Sequence, residues 1–211
     1  MNIPNKLDDL DKLKTDVLQS FCSFGVEQLN LISPYTDAKI VSKGDTILAK
    51  GQIARYVYVI CDGLLRQHVI HNKKDVTQKF YVEGDVIISA DSLFSEEPSD
   101  INISALTECV CVTFDFDKII KLSEKSLEVA AFVQKILKSS LLLEQSKCDD
   151  RLYSSAKDRY IHFCKTYPVV SLQVNVSYIA SYLNMAPETL SRLRSTTLID
   201  YDISKDKKQT F

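Results

Sequence analysis

The sequence predicts an α+β protein in three parts: an N-terminal antiparallel β-roll of the jelly-roll kind, a long helix on which two copies pair, and a C-terminal helix-turn-helix with or without a wing. Three stretches carry that prediction. Ile40 to Phe116 is a series of short segments rich in Val, Ile, Tyr and Phe, separated by turn residues. Leu127 to Lys147 then runs without a glycine or a proline. Finally, "IASYLNMAPETLSRLRS", residues 179–195, reads as two short amphipathic helices across a bend that is neither Gly nor Pro. The boundaries expected from these changes of texture are 1–122, 123–150 and 151–211.

In chain order, Leu7, Leu10, Leu13, Val17, Leu18 and Phe21 recur at steps of three and four, which predicts an amphipathic helix ending near Gly25. A second short helix is expected over Glu27 to Ile32, stopped by Pro34. The strands follow as "KIV", "TILAK", "YVYVICDG", "LLRQHVI", "QKFYV", "DVIIS" and "ECVCVTFDF". Four of the five glycines, Gly44, Gly51, Gly63 and Gly84, fall in "KGD", "KGQ", "DGL" and "EGD", where a corner with positive φ is expected. The long helix is too apolar to stand alone in water. It either packs on its own domain or forms a seam between two copies through Val133, Ile136, Leu137, Ser140 and Leu143, and its place between two differently patterned halves favours the seam.

In the last stretch, Asn175 can cap a helix whose buried face is Ile179 and Leu183, with Ala180 small enough for a crossing helix. Asn184 answers for the missing glycine, because after Gly it best tolerates the left-handed conformation that ends a helix. Pro187 and Glu188 suit the first turn of the next helix, and Leu190 and Leu193 face inward. Glu188, Thr189, Ser191 and Arg192 are left outside. Arg can grip guanine through two hydrogen bonds and Glu can accept from cytosine, so these four are the candidate base readers. Asn175, Ser177, Tyr178 and Arg194 are candidates for phosphate, joined by Lys207 and Lys208 on a tail too short to promise a full wing. Charge agrees with this division: residues 151–211 hold nine Lys/Arg against five Asp/Glu, a net of +4, while the formal total is -2.

Over residues 25 to 200 these motifs resemble the Crp/Fnr family of bacterial transcription regulators. "KGDTILAKGQIARYVYVICDGLLR" is similar to the first half of that family's cyclic-nucleotide-binding-type roll, "VEGDVIISADSLF" to its ligand-pocket segment, and "IASYLNMAPETLSRLRS" to its recognition motif. The resemblance implies a homodimer that binds double-stranded DNA at an inverted repeat, with Glu188 and Arg192 in the family's base-reading positions, and RNA polymerase as a further partner if the protein activates. It also marks a departure. Cyclic-nucleotide binders of this fold use a Gly-Glu pair for ribose and an Arg-Ser pair for phosphate, whereas Ile88, Ser89, Ala90, Asp100 and Ile101 occupy the corresponding stretches here. Asp100 would repel a phosphate, so cyclic AMP is not expected, and the effector is an unknown small molecule or none.

Other chemistry is less well provided for. His68, His71 and His162 supply no convergent catalytic set, so no enzyme is expected, and no cofactor or metal either. The thiols lack the clustered spacing of an iron-sulfur site, and Cys109 and Cys111 are expected to be buried and inert. Without a leader-like N-terminus or an apolar run of membrane length, a cytoplasmic location is expected. The rival reading is a roll-based sensor or adaptor that works through protein contacts without DNA.

Overall fold

The structure, a computed structural model, describes residues 8–148 and 155–195. Leu7, the tail lysines Lys207 and Lys208, and the question of a wing lie outside the described residues. The chain forms two compact units, residues 1–68 with 80–145 and residues 69–79 with 146–211, so most of the long helix belongs with the roll.

The larger unit begins with α1 (Asp8–Phe21), which buries Leu18 against the first strand. α2 (Val26–Ile32) ends at Ile32, ahead of Pro34 as expected. A 3-10 turn (Ser33–Tyr35) follows, with Pro34 in its first positions, where the ring has no N–H bond to forfeit.

Eight strands come next: β1 (Thr36–Val41), β2 (Thr46–Leu48), β3 (Tyr56–Asp62), β4 (Leu65–His71), β5 (Lys74–Tyr81), β6 (Val86–Ile87), β7 (Asn102–Ala105) and β8 (Cys109–Asp115). They form two four-stranded sheets in the orders β1-β8-β3-β6 and β2-β7-β4-β5. All four expected corner glycines have positive φ, between 87° and 97°. At Gly63 a side chain is excluded twice over, since a Cβ would also lie 2.5 Å from the Glu108 carbonyl oxygen. The β4–β5 hairpin turns on Asn72 and Lys73, at φ 50° and 63°, two successive left-handed residues as a tight hairpin with right-handed strand twist requires.

Alternation along β3 and β8 gives the first sheet two distinct faces. Val57 and Val59 lie with Val112 and Phe114 on one, and Phe114 meets Phe132 of the long helix at 5.3 Å between ring centres. Phe21 and Phe24 pack edgewise on the same Phe132. Tyr58, Ile60, Cys111 and Thr113 take the other face, towards the roll interior, where the Tyr58 hydroxyl donates to the Ile47 carbonyl at 3.3 Å.

Two helices not anticipated individually interrupt and follow the strands. α3 (Ala90–Ser95) ends on Glu96 at φ 58°, and α4 (Phe116–Ser123) is capped by Asp115, which accepts the Lys118 N–H.

α5 (Leu127–Cys148) corrects the expected seam. Val133 and Ile136 are buried in the core of their own unit with Val129 and Phe132, and Leu143 and Leu137 pack against that core. The physical reason is the Phe114 face of the sheet, which needs a cover and receives this side of the helix. Ser140 is half-buried, while Leu127 and Leu141 are 87% and 68% exposed.

Among the described residues the smaller unit is helical apart from the hairpin tip. α6 (Ala156–Thr166), α7 (Pro168–Gln173), α8 (Val176–Tyr182) and α9, a helix over 187–195, enclose Phe163, Val170, Ile179, Ala180 and Leu190, all fully buried. Phe163, Tyr167 and Tyr182 stack mutually at 5.4 to 6.2 Å between ring centres. No helix among the described residues is long and apolar enough to cross a membrane.

Candidate nucleic-acid interface and roll cavity

Asn175 caps α8: its side-chain oxygen accepts the Ser177 N–H at 2.9 Å and the Ser177 hydroxyl at 3.0 Å. At the other end Asn184 stands at φ 51°, in the left-handed region as its side chain suggested. The Met185 N–H reaches back to the Ala180 carbonyl at 2.9 Å and the Asn184 N–H to that of Ser181 at 3.2 Å, the paired closure of a Schellman motif. A residue that sequence reasoning missed completes the bend: Arg159, from α6, donates through Nε to the Leu183 carbonyl at 3.1 Å. Its only sequence signal was a basic residue early in a helix, which does not foretell a contact 24 positions away.

Behind that bend α9 buries Leu190 completely and presents Glu188, Thr189, Ser191, Arg192 and Ser195 to solvent. The four residues assigned to base reading therefore share one exposed stretch of helix. Ser177 and Asn175 are exposed at the start of α8, and Tyr178 is half-buried beside them. Arg194 is placed differently from expectation. Half-buried, it donates to the Ser171 carbonyl and lies beside Tyr160, whose phenol is pushed up by burial and by Cys164 while Arg194 opposes the rise. Its guanidinium is engaged inside the domain because the last turn of α7 leaves the Ser171 carbonyl within its reach. In the same unit the Thr77 N–H of the hairpin tip donates to the Ser181 hydroxyl of α8 at 3.1 Å.

The roll holds a cavity of about 490 Å³. Ile47, Leu48, Ile53, Ile87 and Ile103 make its apolar wall, and Gln52, Arg55, Tyr56, Tyr58 and Ser89 bring polar atoms to it. Of the five residues expected here only Ser89 lines the space. Ile88 is buried in the core, Ala90 is exposed at the start of α3, and Ile101 is half-buried. Asp100 is the plain correction: its side chain is 91% exposed and pairs with Lys50 at 3.2 Å, because the turn before β7 carries it outward. Arg55 was overlooked, because only the fold brings the loop before β3 alongside β7. The cavity thus offers a cation where an anion was expected, and no Asp or Glu among the described residues lines it.

Cys109 and Cys111 are fully buried, and burial pushes the Cys111 thiol up to about 12 and that of Cys61 to about 11. Such thiols carry almost no thiolate at neutral pH. Among the described residues no group of three or more His, Cys, Asp or Glu is placed to hold a metal ion.

Residues 38–126 match the family model of the cyclic nucleotide-binding domain. No curated protein matches the chain in sequence. Solved structures share the fold over most of the chain. FixK2 from Bradyrhizobium japonicum is 17% identical, with 78% of this chain and 85% of that one covered and a TM-score of 0.62. A Eubacterium rectale protein assigned to the crp/fnr family of transcriptional regulators is 15% identical, covering 84% and 85%, at 0.63. The c-di-GMP-responsive global regulator CLP of Xanthomonas campestris is 11% identical, covering 83% and 93%, at 0.64. The fold is that of the Crp/Fnr regulators, and the resemblance extends past the matched domain into the C-terminal helices.

Proposed function

We propose that the protein is a homodimeric, sequence-specific DNA-binding transcription regulator that recognises an inverted repeat through α9. One observation carries the reading: a helix-turn-helix whose bend is closed by Asn184 at φ 51° and whose second helix turns Glu188, Thr189, Ser191 and Arg192 outward over a fully buried Leu190. Glu188 and Arg192 are the base readers. Asn175, Ser177 and Tyr178 contact phosphate, with Lys207 and Lys208 supplying further positive charge. Arg194 acts by holding the domain together.

The dimer forms along the outward face of α5. Leu127, Gln134 and Leu141, spaced by sevens, fall on one exposed side of that helix, away from the side that covers the sheet. Cyclic AMP is not the effector, now for a different reason: its ribose hydroxyls would find no carboxylate acceptor along the cavity. The cytoplasm is where such a regulator meets its DNA, and no catalytic role is assigned.

Selection of bound sequences from a random duplex library tests the reading. Enrichment of a near-palindrome with half-sites about one helical turn, roughly 34 Å, apart is expected. Recovery of no motif, or of a motif unchanged when Glu188 and Arg192 are both replaced by Ala, would leave the adaptor reading in possession.

A further inference from the structure

We propose that the roll cavity binds a small amphipathic monocarboxylate, with the carboxylate held by Arg55 and Ser89 and the apolar body packed against Ile47, Leu48, Ile87 and Ile103. The proposal names an effector class for the regulator read above, and its chemistry rests on the cavity alone. At about 490 Å³ the space is of ligand size, and its wall comes from separate strands, β2, β6 and β7, which makes it a feature of the fold rather than of one loop.

Its polar groups divide cleanly. Tyr58 donates its hydroxyl to the Ile47 carbonyl, and the Gln52 side-chain oxygen accepts the Ala49 N–H at 2.9 Å, so that proton and that oxygen are occupied. Ser89 is 8% exposed, precedes α3 without capping it, and its hydroxyl has no hydrogen-bond partner among the described residues. That hydroxyl is therefore open to a ligand oxygen in the cavity. Arg55 is the one charged residue in the lining, and among the described residues its guanidinium makes no ion pair or hydrogen bond.

One cation, with the Ser89 and Tyr56 hydroxyls in the same lining, matches one singly charged head. A planar carboxylate meets a guanidinium through two parallel hydrogen bonds and can still accept from a hydroxyl. A doubly charged phosphate monoester would leave a charge uncompensated against five isoleucine and leucine side chains, and an amine would be repelled by Arg55. The apolar wall then selects for a hydrocarbon or aryl body over a sugar.

Calorimetric titration of the full-length protein with octanoate and with 4-phenylbutyrate tests this, with octan-1-ol, octylamine and cyclic AMP as comparisons. At least one of the two carboxylates should saturate at one molecule per chain, with the alcohol weaker by about tenfold or more, since it lacks the charge-assisted pair. Arg55→Gln should weaken that carboxylate by about tenfold or more while leaving alcohol binding unchanged, and Ser89→Ala should weaken it less. Because Arg55 is exposed, its replacement should not move the melting temperature of the unliganded protein. The proposal is overturned if neither carboxylate saturates at millimolar concentration, if the alcohol binds as well, if Arg55→Gln binds as the natural protein does, or if cyclic AMP binds more tightly. The titration needs no DNA, so its failure would leave the operator reading standing, and loss of operator recognition would leave the titration standing.

Discussion

Replacing Leu141 by Ala separates the two faces of α5. Leu141 keeps 68% of its surface exposed, whereas Ile136, little more than a turn away, keeps 3%. Fully burying a leucine is worth roughly 1.5–3 kcal/mol, so completing the burial of Leu141 in a symmetric seam contributes about 1–2 kcal/mol per chain and about 2–4 kcal/mol per dimer. At about 1.4 kcal/mol per factor of ten, Leu141→Ala should raise the dimer dissociation constant roughly 30- to 700-fold. The same replacement should hardly change the stability of the folded chain, because the side chain has little cover to lose. Ile136→Ala should do the reverse: a core cavity costs about 2–5 kcal/mol of folding stability, with its effect on association following from that alone. Sedimentation equilibrium across a dilution series measures the first quantity and urea unfolding the second. If Leu141→Ala associates as tightly as the natural chain while Ile136→Ala folds normally but is monomeric, the outward seam is wrong and the pairing runs through the inner face.

Arg192→Ala should cost about 1–3 kcal/mol per half-site and relax preference at one base pair, measured by competition with single-base variants; an equal loss on operator and random DNA would make it a phosphate contact instead. Asn184→Val should destabilise the C-terminal unit by about 1–2 kcal/mol or more, since a β-branched residue resists a φ of 51°, while Asn184→Gly should change little; equal urea midpoints for the two would refute the role given to the bend. Stability should also fall in alkali. Cys61, Cys111 and Tyr58 have folded pKa values raised to about 11, 12 and 12, so the unfolded chain loses these protons first; their contribution is intact below about pH 9 and is lost as the pH climbs towards 11 to 12. Urea unfolding at pH 8 and pH 10.5 checks the sign, and Cys111→Ala should show a shallower decline.

Where a residue's conformation followed from its own chemistry, the sequence was sufficient. The corner glycines and Asn184 were legible because few side chains tolerate positive φ, and Leu190 because its neighbours on the helix are polar. Helix α5 was harder: it carries apolar residues on more than one side, and no period in the chain says which side meets its own sheet and which a second copy. Asp100 and Arg55 exchanged places with respect to the cavity for a related reason. Charge can be read along the chain, but whether a loop residue turns inward depends on the strands that flank it. The helix α3 went unnoticed because six residues with one buried leucine, Leu93, make too short a pattern to distinguish from a turn. Arg159 and Arg194 look alike in sequence to any surface arginine, and only the packing of α6 and α7 shows each one bonded to a carbonyl.

The bend between α8 and α9 is closed by main-chain bonds from Met185 and Asn184 and by a guanidinium arriving from α6. The outward letters Glu188, Thr189 and Ser191 take no part in that clasp through their side chains. If α9 reads DNA as proposed, the reading head is indexed by parts that do not read, and its alphabet can be rewritten one letter at a time without loosening the mount. A lineage carrying this domain could move to new operators by exchanging exposed residues on α9, while Asn184, Arg159 and Leu190 stay fixed because every such exchange depends on the angle they set.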